Sequence, residues 1–244
     1  MNLAGRTVLV TGAARRLGRA IAEDLASRGA RLAVHYRHSA PEADAVVAGI
    51  RARGGTAEAF AADLADPPAA ERLAASVVER LGPVDVLVNN ASVYYRTPLD
   101  TLGAAEWDAV MMVNLRAPYL LAVILGRAMR ERGAGKIVNL ADIAAERPSP
   151  DYLPYGISKA GIVALTRGLA RELAPAVQVN CIAPGPILVA IDGTPETTAA
   201  VVKRTPLGRL GAAEDIVAAV RFLLEGSDFV TGTTVVVDGG RALD

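Results

Sequence analysis

The chain has 244 residues, of which 52% are apolar, so it is long enough for one well-buried domain and short for two. Its formal net charge is zero, which leaves nothing to favour nucleic acid or an anionic membrane as a partner. Because Cys181 is the single cysteine, an internal disulfide and a thiolate-rich metal site are excluded, and no metal ion is expected.

Residues 1–6 lead directly into the first strand-like run, without the charged, apolar and cleavage-site regions of a signal peptide. No uninterrupted apolar stretch reaches the roughly 18 residues that a membrane span needs. We therefore expect a soluble, cytoplasmic protein with no membrane partner.

Short β-branched runs alternate with long, alanine-rich amphipathic segments along the chain. Strands are predicted at residues 7–12, 30–36, 56–64, 84–90, 135–142, 177–185 and 233–240. Helices are predicted at about 15–28, 41–53, 67–81, 104–132, 155–173 and 212–225. This alternation implies right-handed crossovers and predicts an α/β fold, a single doubly wound (Rossmann) domain whose seven-stranded parallel sheet has helices on both faces.

A long irregular stretch spans about residues 184–211 and is rich in Pro, Gly and Thr. A loop of that length in a compact domain is more often a substrate lid than a linker. Neither a low-complexity linker nor a solenoid repeat divides the sequence, so residues 1–244 are expected to form one domain with a substrate loop at about 184–211.

Two glycines, Gly12 and Gly18, flank the turn between the first predicted strand and the first predicted helix. In a doubly wound sheet, ligands bind outside the carboxyl ends of the strands, and the N–H groups of a following helix can hold a phosphate. Arg16 stands in the middle of the turn, where a third glycine is expected. The alternative interpretation of the glycine pair is an ordinary turn between a strand and a helix.

The residues that end the second predicted strand and follow it contain no acid; they are His35, Tyr36, Arg37, His38 and Ser39. A carboxylate is expected there when the cofactor ribose has a free 2′-hydroxyl, and basic groups are expected when that hydroxyl is phosphorylated. Arg37, His38 and Ser39, with Arg16 from the first turn, could therefore surround a 2′-phosphate, which predicts NADPH as the cofactor. A solvated basic loop is the alternative.

Tyr155 and Lys159 lie one helical turn apart and share a helix face. Because a neighbouring cation favours the phenolate, we expect the pKa of Tyr155 to lie below its usual value of about 10, as suits a proton donor near neutral pH. The same spacing also occurs by chance in surface pairs of tyrosine and lysine. The pair therefore indicates a catalytic site only in combination with the other motifs of the chain.

Together these motifs resemble the short-chain dehydrogenase/reductase family over essentially the whole chain. The resemblance rests on Thr11, Gly12, Gly18, Asp63, Leu64, Asn89, Asn90, Ala91, Asn114, Tyr155, Lys159, Pro184 and Gly185. It implies that Gly12 and Gly18 lie against the cofactor diphosphate, that Asp63 and Leu64 meet the adenine, and that Asn89 and Ala91 line the ribose side. Further cofactor contacts are expected from Arg16, Leu17, Tyr36, Ser92, Tyr155, Pro184, Gly185 and Ile187.

The resemblance also implies roles in the reaction. Lys159 would hold the nicotinamide ribose and acidify Tyr155, and Asn114 would anchor a water that refills the proton relay. The alternatives are that Asn89 and Asn90 only close a strand and that Asn114 is a polar residue in helix packing.

Two positions depart from the general pattern of the family. Asp142 stands thirteen residues before Tyr155, where most members carry a serine that steadies a substrate carbonyl, and Arg16 replaces a glycine. Both residues, together with residues 35–40 and 89–99, resemble the pteridine reductase branch, which includes bacterial dihydromonapterin and dihydrofolate reductases. In that branch the arginine touches cofactor phosphate and reaches toward the pterin, and an aromatic residue at the position of Tyr94 stacks on the pterin ring.

The chemistry agrees with the aspartate. Ketone reduction builds negative charge on an oxygen, and a carboxylate facing that oxygen would oppose the transition state. A pterin C=N bond takes hydride at carbon and a proton at ring nitrogen, and Asp142, bonded to Tyr155, could share in delivering that proton. The alternatives are a strand-end cap for Asp142 and a partly exposed packing residue for Tyr94.

The sequence therefore predicts an NADPH-dependent reductase of a small pterin-type substrate, dihydropterin with dihydrofolate as a further candidate. Substrate contacts are expected from Arg16, Ser92, Tyr94, Asp142, Tyr155 and Pro186. Two alternatives stay open: a carbonyl reductase of the 3-oxoacyl or sugar type, and a catalytically weak NADP-binding protein that serves sensing or assembly. The resemblance implies a homotetramer packed through the helices at 104–132 and 155–173.

Overall fold

The computed structural model describes residues 1–188 and 194–243. The strands in this part of the chain are β1 (Thr7–Val10), β2 (Arg31–Tyr36), β3 (Thr56–Ala61), β4 (Val84–Asn89), β5 (Gly135–Leu140), β6 (Val177–Pro184) and β7 (Thr234–Val237). All neighbouring pairs are parallel, and the strand order in the sheet is β3-β2-β1-β4-β5-β6-β7. The predicted seven-stranded parallel sheet is confirmed.

The connections between the strands are helical. The helices are α1 (Arg16–Ser27), α2 (Ala40–Ala52), α3 (Pro67–Leu81), α4 (Ala104–Met111), α5 (Ala117–Glu131), α6 (Leu153–Leu173), α7 (Pro195–Lys203) and α8 (Ala213–Arg221). A π-helical turn, Met112–Arg116, joins α4 and α5 into one continuous helix, and a second, Phe222–Gly226, extends α8.

Two apolar cores cover the two faces of the sheet. One core contains residues of α1, α2 and α8, and the other contains residues of α3, α5 and α6. Alternate residues of each central strand supply the two cores: Val8 and Val10 of β1 join the first, and Leu9 joins the second. Because both faces are covered, the central strands are rich in apolar residues, as parallel strands usually are, and the polar residues of β5, Lys136 and Asn139, are buried with them.

The strand order reverses between β1 and β4, and this is the point at which ligands bind in sheets of this kind. The carboxyl ends of β1, β2, β4, β5 and β6 meet at one edge of the sheet. Most residues that the sequence analysis selected follow these strand ends, so the fold brings them to a common crevice.

Three features differ from the sequence-based expectations. Helix α6 begins at Leu153, earlier than expected, because Pro154 fits the first turn of a helix. The stretch predicted as irregular at 184–211 contains α7, whose N-cap is Thr194; residues 189–193 lie outside the described part of the chain. The continuous helix Ala104–Glu131 is long and apolar enough to cross a membrane by length and composition, but half of its most apolar segment is buried within the fold.

Candidate active site

The turn after β1 is built around its two glycines. Gly12 has φ +66°, and a Cβ atom on Gly18 would lie 2.2 Å from the carbonyl oxygen of Gly12 and 2.5 Å from Asn90 Nδ2. Asn90 Nδ2 donates to the carbonyl oxygens of Thr11 (2.8 Å) and Gly12 (3.2 Å). Since any side chain at Gly18 would collide with this turn, α1 can approach the strand end only with glycine there.

Arg16, the first residue of α1, keeps the backbone conformation of the glycine that it replaces. Its φ is +50°, a left-handed conformation that costs a residue with a Cβ atom roughly 1–2 kcal/mol. The side chain is exposed at the mouth of the turn. Backbone strain of this kind persists where the surroundings demand it and is common at ligand sites.

His35, near the end of β2, supports the turn from below. The Gly12 N–H donates to His35 Nδ1 (3.0 Å), so the ring proton lies on Nε2, which donates to the Ala62 carbonyl oxygen (3.1 Å). Burial lowers the pKa of His35 from 6.5 to about 4, which keeps the ring neutral. The sequence analysis did not select this residue for a role, although a histidine inside a buried strand is a signal for one.

The residues expected around a 2′-phosphate lie at the ends of β2 and β3. Arg37 forms an ion pair with Asp63 (2.8 Å), so the structure joins the residue expected at the phosphate to the one expected at the adenine. His38 is exposed, Ser39 is half-buried at the N-cap of α2, and Leu64 is buried. A second basic residue, Arg15, was missed by the sequence analysis although it adjoins Arg16.

Arg15 is the N-cap residue of α1 and forms an ion pair with Glu42 in the first turn of α2. Arg15 is exposed, and its ion pair with Glu42 connects the N-terminus of α1 to that of α2. Arg15 and Arg37 are thus each paired with a carboxylate, Glu42 and Asp63.

The end of β4 contains two asparagines with different surroundings. Asn89 is buried, and its Nδ2 donates to Asn139 Oδ1 (2.9 Å) and lies 3.4 Å from the Pro118 carbonyl oxygen. The Ala91 N–H donates to Thr11 Oγ1 (2.9 Å) and so stays beside the first turn. The side chain of Asn89 therefore belongs to the core, which agrees with the interpretation that it closes a strand and leaves its backbone to face the crevice.

Asp142 and Tyr155 are joined by a hydrogen bond, from the tyrosine hydroxyl to Oδ2 (2.9 Å). The other carboxyl oxygen, Oδ1, accepts from the Ala144 N–H (2.8 Å) and caps the short 3₁₀ helix Ile143–Ala145. Both interpretations of Asp142 are thus present in one side chain, since one oxygen is a cap and the other faces the tyrosine.

Lys159 is buried, and its Nζ donates to the Leu140 carbonyl oxygen (3.0 Å). The ammonium lies 5.4 Å from the centre of the Tyr155 ring. Burial lowers the pKa of Lys159 to about 8, so the lysine remains mostly protonated at neutral pH.

The expected direction of the Tyr155 pKa shift is wrong for this structure. Burial, followed by the charge of Asp142 and its hydrogen bond, raises the pKa of Tyr155 well above 10. Burial also raises the pKa of the Asp142 carboxyl above its ordinary value, against the opposing influence of Lys159. The lysine faces the ring of the tyrosine while the carboxylate faces its hydroxyl, so the carboxylate and the low-polarity surroundings decide the outcome.

Asn114 lies in the π-helical turn and holds the segment that follows β4. Its Oδ1 accepts from the Val93 N–H (2.8 Å), and its Nδ2 donates to the Val93 carbonyl oxygen (3.0 Å) and to Ser158 Oγ (3.3 Å). Ser158 in turn donates to the Tyr155 carbonyl oxygen (2.7 Å). The side chain of Asn114 thus connects this segment to α6, and anchoring of a water by Asn114 stays a prediction.

Tyr94 lies directly over the catalytic candidates. Its ring stacks on Tyr152 with the centres 4.5 Å apart and the planes at 8°, and it meets Tyr155 edge-on at 4.8 Å. Tyr94 is 61% exposed, and Ser92, two residues earlier, is also exposed. Tyr152 was missed by the sequence analysis, although an aromatic residue one helical turn before Tyr155 was a signal for it.

The end of β6 leads into the predicted substrate loop. Gly185 packs so closely on Asp238 that a Cβ atom would lie 2.5 Å from the Asp238 Cβ. The Pro186 carbonyl oxygen accepts from the Gly211 N–H (3.0 Å), and Ile187 forms a β-bridge with Gly211. The start of the loop is therefore held in place, and Leu17, Tyr36 and Ile187 pack, half-buried, on the core that contains α1 and α8.

Comparison with known proteins places the chain among relatives that match it over nearly its whole length. The family model described as enoyl-(acyl carrier protein) reductase matches residues 12–242. The 3-oxoacyl-[acyl-carrier-protein] reductase of Synechocystis sp. is 35% identical over 245 residues, covering 99% of this chain and 98% of its own length.

Two solved structures share the fold closely. A putative gluconate dehydrogenase from Agrobacterium tumefaciens is 38% identical with a TM-score of 0.93, covering 99% of this chain and 97% of that one. FolM alternative dihydrofolate reductase 1 from Brucella canis, complexed with NADP, is 37% identical with a TM-score of 0.93, covering 100% of this chain and 96% of that one.

Proposed function

The chain belongs to the short-chain dehydrogenase/reductase family, and from this premise we propose that it is an NADPH-dependent reductase of pterin-type substrates. The observation that carries the proposal is the hydrogen bond from the Tyr155 hydroxyl to Asp142 Oδ2. An enzyme that stabilises a developing oxyanion needs hydrogen-bond donors at that place, and a carboxylate there opposes it. Protonation of a ring nitrogen has no such requirement, and FolM from Brucella canis shows that the same fold is used by a protein named as a dihydrofolate reductase.

The residues present fit NADPH. The first turn brings Gly12, Gly18 and the N-terminus of α1 together, which suits a diphosphate. The three residues directly after β2, Arg37, His38 and Ser39, include no acid, and Arg15 and Arg37 lie near the expected position of a 2′-phosphate. When bound, NADPH supplies the hydride. FolM from Brucella canis, similar over the whole chain, is complexed with NADP.

The protein's own residues manage the proton. Burial raises the pKa values of both Asp142 and Tyr155, so Tyr155 keeps its proton at neutral pH. The hydrogen bond to Asp142 Oδ2 holds the hydroxyl in place, and we propose that the pair delivers a proton to the substrate nitrogen. Lys159, fixed by the Leu140 carbonyl, keeps a positive charge beside the tyrosine and suits the nicotinamide ribose. Asn114 is proposed to complete the relay with a water.

The substrate would lie flat above the pair formed by Asp142 and Tyr155. Tyr94 offers an exposed aromatic ring at the mouth of the crevice, 4.8 Å from the Tyr155 ring. Aromatic stacking on such a ring favours a planar bicyclic substrate. Arg16, Ser92 and Pro186 are proposed as further contacts.

A carbonyl reductase of the 3-oxoacyl or sugar type is the second candidate. It is favoured by the name of the Synechocystis relative and by the name of the Agrobacterium structure. The tyrosine, lysine and asparagine at 155, 159 and 114 serve either chemistry. Asp142 is the residue that separates the two candidates.

The proposed assembly is a soluble, cytoplasmic homotetramer. The helices expected at the interface carry an exposed apolar groove of about 400 Å³, lined by Asp108, Met111, Met112, Leu115, Arg116, Tyr119 and Leu165. A second copy packed on this groove would bury its apolar residues and could pair Asp108 with Arg116 across a twofold axis. Light scattering on wild-type protein and on Leu115→Asp measures the number of copies in the assembly. A monomeric wild-type protein would contradict the proposed tetramer.

Exchange of Asp142 for serine tests the proposed function. Asp142→Ser removes the carboxylate and restores a hydroxyl, so kcat/KM for dihydropterin should fall while reduction of a short β-keto ester should rise. Asp142→Asn is the matched control, because its one amide oxygen can still accept the Ala144 N–H of the cap, whereas the amide nitrogen that replaces Oδ2 cannot accept from Tyr155 or carry the proton. It should lose dihydropterin turnover without gaining keto-ester reduction.

Binding of NADPH is measured alongside and should hardly change, since Asp142 touches the substrate side. A damaged fold would depress both activities together. Wild-type protein that prefers the keto ester, and loses both activities alike as Asp142→Ser, would move the assignment to the carbonyl reductase.

A further inference from the structure

We propose that Asp151 is a positioning residue that joins the loop after β4 to the loop before α6. The joined loops hold Tyr94 and Tyr152 as a rigid aromatic wall above Tyr155, and this wall selects flat substrates. This inference rests on the proposed function and deepens it, because it names the residue that orients the substrate platform. Asp151 carries no reacting atom and acts through the two tyrosines.

Three contacts join Asp151 to the loop after β4. The Asp151 carbonyl oxygen accepts from the Thr97 N–H (2.6 Å) and from Thr97 Oγ1 (3.1 Å), and the Asp151 carboxylate forms an ion pair with Arg96. Thr97 is only 4% exposed, although Arg96 and Pro98 on either side are exposed. Thr97 is thus an internal anchor of an otherwise exposed segment.

The backbone of Asp151 supports the same interpretation. Its φ is +62°, in the left-handed region that residues with a Cβ atom avoid. Aspartate tolerates this region better than most residues, but strain there persists only when surrounding contacts impose it. In this loop those contacts are the ones to Arg96 and Thr97.

The segment that holds Tyr94 is fixed at both ends. Asn114 binds both backbone polar groups of Val93, and Asp151 binds Thr97, so Tyr94 lies between two anchors. Tyr152 follows Asp151 directly, and its ring stacks on Tyr94 at 4.5 Å. One contact site thus sets the positions of both rings relative to each other.

This arrangement predicts which kinetic constant depends on Asp151. A planar bicyclic substrate needs the ring of Tyr94 at a defined distance and tilt. Transfer of the proton depends instead on Asp142 and Tyr155, whose side-chain hydrogen bonds among the described residues do not involve Asp151. Loosening the loops should therefore raise KM for a flat substrate more than it lowers kcat.

The experiment compares Asp151→Asn with wild type and with Arg6→Ala. Asparagine keeps the backbone carbonyl and tolerates the left-handed conformation, but it loses the charge that pairs with Arg96. Arg6→Ala removes a comparable exposed ion pair, Arg6 with Asp85, at the opposite edge of the sheet. If Asp151→Asn does not fold, Thr97→Val, which deletes only the Oγ1 donor, takes its place with the same measurements.

We expect KM for dihydropterin to rise about three- to fivefold in Asp151→Asn, the size that loss of one exposed ion pair allows, with a kcat change of less than about twofold. The Kd for NADPH should stay within about twofold of wild type, and Arg6→Ala should leave all three constants unchanged. Amide hydrogen exchange over residues 93–97 should be faster in Asp151→Asn than in either comparison protein.

The outcomes separate the two proposals. If wild-type protein reduces no dihydropterin, the proposed function fails, and selection of flat substrates fails with it. If wild-type protein reduces dihydropterin but Asp151→Asn leaves KM unchanged, only the role of Asp151 is overturned, whether or not exchange becomes faster. Equal losses in kcat and in NADPH affinity would show a general structural role and overturn it too.

Discussion

The proposed adenosine end and the proposed catalytic end of the crevice hold their charged groups in different ways. At the adenosine end, Arg15 and Arg37 are exposed and form ion pairs with Glu42 and Asp63. At the catalytic end, Tyr155 and Lys159 are buried, and hydrogen bonds hold their polar atoms in place. Exposed ion pairs contribute about 0–1 kcal/mol and exchange partners easily, whereas buried polar groups keep one geometry and have shifted pKa values.

This difference suits the two tasks. A 2′-phosphate can replace a carboxylate as the partner of an exposed arginine with little rearrangement, because the arginine stays in solvent throughout. Proton transfer instead needs a donor that is already in place, which only the buried end provides. Four predictions test the contrast, beginning with the largest expected effect.

Tyr155→Phe should reduce turnover by about a hundredfold or more, because it removes a positioned proton donor. The fold and NADPH binding should remain, since only one oxygen atom is lost. Tyr95→Phe is the matched control, because it removes the same atom from an exposed tyrosine beside Tyr94. Stopped-flow or steady-state oxidation of NADPH measures the effect. Wild-type protein that binds NADPH and reduces neither a dihydropterin nor a keto ester would favour a sensor.

His35 shows that the exposed adenosine end depends on one buried group. Its pKa is lowered from 6.5 to about 4, so acid protonates it more readily in the unfolded chain than in the folded one. Its contribution to stability is complete above about pH 6.5 and is lost as the pH falls toward 4. At about 1.36 kcal/mol per pKa unit, this amounts to about 2–3 kcal/mol near pH 4.5.

Urea unfolding at pH 7 and pH 4.5 measures this loss. His35→Gln should show a smaller decrease in the free energy of unfolding between the two pH values, because glutamine does not titrate. His38→Gln, which changes the other histidine of the chain, is the control and should behave like wild type. Equal decreases in wild type and His35→Gln would contradict the role of His35.

Wild-type protein should bind NADPH at least about tenfold more tightly than NADH. Arg37→Ala should reduce this preference, and Arg16→Ala should also raise KM for dihydropterin. Arg19→Ala, which removes an exposed arginine paired with Glu23 on α1, is the control. Titration of intrinsic fluorescence with both cofactors gives the affinities, and equal affinities in wild type would remove the basis for a 2′-phosphate site.

Glu42→Gln should have the smallest effect and the opposite sign. Loss of the carboxylate frees Arg15, so affinity for NADPH should increase about two- to fivefold at low salt and return to the wild-type value at high salt. Glu23→Gln, on the outer part of α1, should leave the affinity unchanged. Weaker NADPH binding in Glu42→Gln would mean that the Arg15–Glu42 pair itself shapes the site.

Much of this architecture could be predicted from the sequence. The strands were found because β1, β4 and β5 are buried on both faces and so appear as short runs rich in Val, Leu and Ile. Helix α7 was missed because it lies in a Thr- and Pro-rich stretch, although Thr194 and Pro195 form an ordinary helix start. The pairing of Tyr155 with Asp142 was expected, but the rise in the pKa of Tyr155 was not.

The sequence by itself determined the succession of strands and helices along the chain, apart from α7, since apolar periodicity and turn residues act locally. It also determined which residues gather at the strand ends, because parallel strands end at one edge of the sheet. Only the tertiary structure decided the partners of those residues: Asp63 for Arg37, Gly12 and Ala62 for His35, and Thr97 for Asp151. It also decided that Asp142 and burial, rather than Lys159, control the pKa of Tyr155. Hydrogen-bond partners and desolvation depend on groups that are far apart in the chain and meet only in the fold.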